Sequence, residues 1–103
     1  MAIRRTLAAT RPDAFLPDLA MSLNNLGNRQ SELGQREAAL LSSREAVRLY
    51  LGFSRAFPER FLQSLLTATR GLMRDLENAG LPEDHEPLLL EVNALLQSQQ
   101  GAG

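Results

Sequence analysis

Leucine, alanine and other apolar residues recur along the chain at intervals of three and four, broken by prolines and glycines. That spacing predicts amphipathic helices and no strands. Residues 3 to 10, IRRTLAAT, read as the end of a helix, with Ile3 and Leu7 one turn apart and Arg11-Pro12 stopping it. Pro12 to Leu16 reads as a connector, and Pro17 as the opening residue of the next helix, where a proline is well tolerated. In that helix Leu19, Leu23, Leu26 and Leu33, with Met21 and Gln30 between them, form one predicted buried stripe, and Gly34 supplies the left-handed stop. A further helix begins near Arg36, with Ala38, Ala39, Leu40, Ala46, Val47, Leu49, Tyr50 and Phe53 on its apolar side, and Phe57-Pro58 closes it.

The pattern then repeats. Pro12, Phe15, Leu16, Leu19, Leu26 and Gly34 recur 46 positions later as Pro58, Phe61, Leu62, Leu65, Leu72 and Gly80. An internal period of this size signals stacked helical hairpins. The third helix is predicted from about Glu59 to Asn78, with Phe61, Leu62, Leu65, Leu66, Leu72, Met73 and Leu76 as core. Asn78-Ala79-Gly80 is a strong stop, and Leu81 to Asp84 a loop or cap. Because proline belongs in a first turn, Pro87 places the start of the last helix near Asp84. Leu88, Leu89, Val92, Leu95 and Leu96 give it a broad apolar face, and the polar stretch from Gln97 to Gly103 is expected to fray.

Composition narrows the function. At 103 residues, 44% hydrophobic and 22% charged, the chain is one domain's worth with a modest core. A net charge of −1 offers no footprint for DNA, RNA or an anionic membrane. Arg44 and Arg48 are expected to pair with Glu45 or Glu37 in solvent and not with phosphates. The absence of cysteine excludes disulfides and thiolate sites, and no run is long enough to span a bilayer, so the expectation is a cytoplasmic protein. All 11 basic residues are arginine, a bias that goes with GC-rich bacterial coding. No catalytic, cofactor or metal site is expected. His85, the lone histidine, sits among Glu83, Asp84 and Glu86, which suit a helix start, and Tyr50 reads as core.

Leu23-Asn24-Asn25-Leu26-Gly27, Leu33-Gly34, Arg36-Glu37-Ala38-Ala39 and Glu45-Ala46-Val47 together resemble the tetratricopeptide repeat, most closely its kinesin-light-chain type. The likeness is specific over residues 12 to 58 and weak beyond, where Gly27 becomes Met73 and Ala39 becomes His85. It implies an all-α, right-handed stack of helix-turn-helix hairpins: about four full helices plus a short N-terminal helix. The single domain divides into residues 1–11 as the tail of a preceding repeat helix, 12–57 as the first repeat and 58–103 as a degenerate terminal repeat.

The resemblance also implies a non-enzymatic scaffold that takes a peptide or partner helix in a groove lined by the first helix of each hairpin. The family's groove positions fall on Met21, Asn24, Asn25, Asn28 and Ser31, with Thr67, Arg70 and Arg74 from the second unit. Asparagine amides and arginine forks there suit the backbone and carboxylates of an extended, acidic peptide. The plainer reading is an ordinary solvated face. A second expectation is a homodimer, or a terminal piece of a longer array in a signalling or effector protein. Two hairpins fall short of the usual three, the chain opens in mid-unit, and Leu90 lies off the last helix's apolar stripe.

Overall fold

The computed structural model describes residues 12–83 and 86–102, all helical or in short turns. Four helices follow in order: α1 Pro12–Glu32, α2 Arg36–Ala56, α3 Pro58–Asn78 and α4 Pro87–Ala102. The repeat is reproduced residue for residue in α1 and α3. Each has 21 residues and opens on a proline. Each also ends in the same turn. Gly34 and Gly80 take φ of 77° and 71°, a conformation that costs any residue with a Cβ. Gln35 N–H then bonds to Gln30 O, and Leu81 N–H to Leu76 O, both at 2.9 Å, so the orphan carbonyls of each helix end find donors.

Several expectations are corrected. Pro12 to Leu16 is helix and not a connector, so Pro17 lies inside α1. Pro12 already fills the first helical position, as Pro58 does in α3, and Pro17 merely forgoes one N–H bond near that end. Leu26 and Leu33 are 40% and 67% exposed, and Met73 is 38% exposed; the buried line of α1 is Leu19, Ala20, Leu23 and Gly27. Periodicity gives a helix an apolar face but does not say what will cover it. The last helix begins at Pro87; the start near Asp84, His85 itself and the fragment 1–11 lie outside the described residues. Its polar end stays helical to Ala102.

The core runs between two layers, α1 with α3 and α2 with α4, in a body of 38 × 36 × 17 Å. Leu19, Leu23, Val47, Leu51, Leu65, Leu72, Leu76 and Val92 form its centre. Tyr50 is part of it, and burial, with the Asp18 carboxylate adding to it, raises the phenol above its usual pKa. Phe53 stacks on Phe61 at 5.1 Å and meets Tyr50 edge-on, which fixes the tight turn at Phe57.

The two hairpins close differently. In the first, Gly27 lets α2 lie against α1: a Cβ there would stand 3.4 Å from the Ser42 Cβ and 3.5 Å from the backbone of Ala39 and Ser43. In the second, Met73 occupies the equivalent place, and α4 lies nearer to α2 than to α3. Arg44, expected to pair within its own helix, instead reaches Glu86 at 2.6 Å, and Arg55 reaches Glu91 at 3.3 Å. An apolar cleft of about 450 Å³ remains between α3 and α4, walled by Met73, Leu89, Leu90 and Leu96.

Candidate functional site

The first helices of the two hairpins meet along a polar seam. α1 contributes Asn24, Asn28 and Ser31, three positions one turn apart, because its apolar residues are spent on the side facing α2. α3 answers with Arg74 and Asn78. Arg74 donates from Nη2 to Asn28 Oδ1 at 3.0 Å, across a sequence separation of 46, so the bond joins repeat-equivalent positions. Asn78 Nδ2 donates to Ser31 Oγ at 3.4 Å. Gly71 adds no side chain, which leaves the Asn24 and Asn28 oxygens 3.6 and 3.8 Å from where its Cβ would be.

Beneath the seam lies Asp75, 1% exposed. Its Oδ1 accepts from Arg74 Nε at 3.3 Å and lies 3.2 Å from Arg74 Nη2. Its Oδ2 is buried with no hydrogen-bond partner among the described residues. Arg74 is thus clamped between an acid below and an amide on the neighbouring helix, with its side chain still 43% exposed. Held this way, a guanidinium loses little rotamer entropy when it donates its remaining hydrogens.

Of the eight residues implied by the resemblance, Asn24, Asn28, Ser31 and Arg74 are brought together in this seam. Met21, Asn25, Thr67 and Arg70 are exposed. Thr67 bonds only to the Gln63 carbonyl in its own helix, and Arg70 has no ion pair among the described residues. Sequence reasoning missed Asp75 and Asn78. A sign for Asp75 was available: it sits beside Leu76 and one turn from Leu72, inside the apolar stripe of α3. Asn78 read only as part of a helix stop.

Electrostatically the seam is mixed, with Arg70 and Arg74 set against Asp75 and the exposed Glu77. Among the described residues no group of three or more His, Asp or Glu side chains is placed to hold a metal ion. None of the described helices is long and apolar enough to cross a membrane. The chain matches no family model, no curated protein and no solved structure.

Proposed function

We propose that this chain is a tetratricopeptide-like interaction module, without catalysis of its own, that receives an extended peptide or a partner helix along the face made by α1 and α3. The observation that carries the reading is Arg74, fixed by Asp75 and Asn28 yet still open to solvent, with Arg70 one turn before it on α3. Side chains ordered before a partner arrives are the economical way to bind one, because the ordering cost has already been met in folding. The matched bounds of α1 and α3 and the close pass at Gly27 support the hairpin-stack part of the reading.

Fluorescence anisotropy against a decapeptide library tests it. Binders are expected to lose about tenfold or more in affinity when Asn28, Arg70 or Arg74 is changed to alanine. Binders indifferent to all three substitutions would remove the α1–α3 face from consideration.

A second reading is self-association, favoured by one observation: Leu26 is 40% exposed although its repeat equivalent, Leu72, is fully buried. A second copy covering α1 as α2 covers α3 would bury it. Light scattering across a hundredfold range of concentration separates the two, with a constant monomer mass excluding the second.

A further inference from the structure

The carboxylate under the seam bears on what kind of peptide the face accepts, an inference that rests on the α1–α3 reading above. Asp75 is buried, and Arg74 is the only cation within ion-pair distance of it among the described residues. With Oδ2 unpartnered, the acid depends on Arg74 alone for compensation among the described residues. Removing one partner of a buried pair leaves a charge stranded where water cannot reach it. A ligand carboxylate drawn to Arg74 would compete for that guanidinium and approach a second, buried negative charge. Arg74 is therefore not a free positive charge. It is a set of N–H donors, since the Nη1 hydrogens carry no protein partner among the described residues while Nε and Nη2 are engaged.

The surroundings reinforce this. Asn28 and Asn24 are neutral amides, and Glu77, one turn beyond Arg74, adds an exposed negative charge. Arg70, one turn before, is the cation left over, and it stands in solvent, where salt screens it. We propose that Asp75 makes the seam select uncharged peptide segments over acidic ones, with Arg74 donating to main-chain carbonyl oxygens. Selectivity then comes from an unfavourable element set against the wrong partner as much as from attraction to the right one.

The probes are two decapeptide libraries: one neutral and capped at both ends, the other with Asp or Glu at alternate positions and a free C-terminus. Each is measured by anisotropy at about 0.15 M salt, where surface charges beyond about 8 Å are screened. The unaltered chain is expected to bind its best neutral peptides about tenfold tighter than its best acidic ones, and Asp75→Asn to erase or reverse that order. A preference of the unaltered chain for acidic peptides overturns the proposal, and needs no variant to fold. So does an unchanged order in an Asp75→Asn protein of normal helicity. In either case the α1–α3 face survives as a binding site. Binding of neither library removes the face and this proposal together.

Discussion

At residue 27 the first hairpin has a glycine and its two helices pass within van der Waals contact; 46 positions on, the second has Met73, and the corresponding space is an apolar cleft. The helices that open the hairpins have identical length and the same terminal turn. The difference lies in how the partner helices pack on them. α4 starts at Pro87, five residues later than the repeat register with Arg36 would put it, and rests on α2 through Arg44–Glu86 and Arg55–Glu91. The two hairpins thus share the turn, which is specified locally by a glycine. Closure depends on two facing surfaces that must stay small together, so it is lost when either one drifts.

The largest effect expected from this contrast comes from equivalent leucines. Leu72→Ala should cost about 3 kcal/mol, since Leu72 is fully buried and its truncation leaves a cavity. Leu26→Ala, at 40% exposure, should cost about 1 kcal/mol or less. Urea unfolding of both variants measures the gap, and equal losses would mean that α1 is covered in solution as α3 is. Next in size is Gly27→Met, which writes the second hairpin's residue into the first. Forcing α1 and α2 apart should cost about 2 kcal/mol, net of the better helix propensity of methionine. If the variant is as stable as the parent by the same assay, Met73 is not what keeps the second hairpin open.

Much of this architecture was legible. The helices and both glycine turns follow from spacing and punctuation alone, whereas the polar row on α1 comes only with the resemblance. All the misses but Asp75 share one cause, the absence of a local signal. Pro17 satisfies the same preference for a first turn as Pro12, and only the register with Pro58 decides between them. Leu26 and Leu72 occupy the same place in the same pattern and differ only in whether a helix lies over them. Arg44 and Glu86 are 42 residues apart, so no helical spacing pairs them. Asp75 breaks the rule that an acid in a helix lies outside: it is buried, paired with the Arg74 guanidinium.

The pair that holds α4 should come next in size. Glu86, just before α4, has 8% of its side chain exposed and stands in sequence register with the buried Leu40. Glu86→Gln removes the charge from a close ionic hydrogen bond and should cost about 1.5 kcal/mol. Hydrogen exchange should show the loss in the amides of α4, with α1 and α2 little changed. Arg55→Ala, by contrast, removes a pair whose members are 54% and 48% exposed, and should cost about 0.3 kcal/mol. Similar exchange in both variants would mean that apolar contact from Leu88 and Val92, and not the ion pair, holds α4 in place.

The last effect is a gain, and it probes whether the two hairpins unfold as one. Gly52 is exposed in the last turns of α2, which remains helical to Ala56, and nothing lies within 4 Å of an added Cβ. Gly52→Ala should therefore stabilise the chain by roughly 0.5 to 1 kcal/mol, by relieving the entropic cost of holding glycine in a helix. Its repeat equivalent on α4 is Ser98, also exposed and helical. Ser98→Ala should raise helix propensity by about 0.4 kcal/mol, but that gain reaches the global transition only if α4 unfolds together with the rest. With α4 tied mainly to α2 and standing off from α3, its opening is expected at lower free energy than that of the core. Thermal unfolding should then rise for Gly52→Ala and stay fixed for Ser98→Ala, whereas parallel increases would show that the cleft does not uncouple the last helix from the stack.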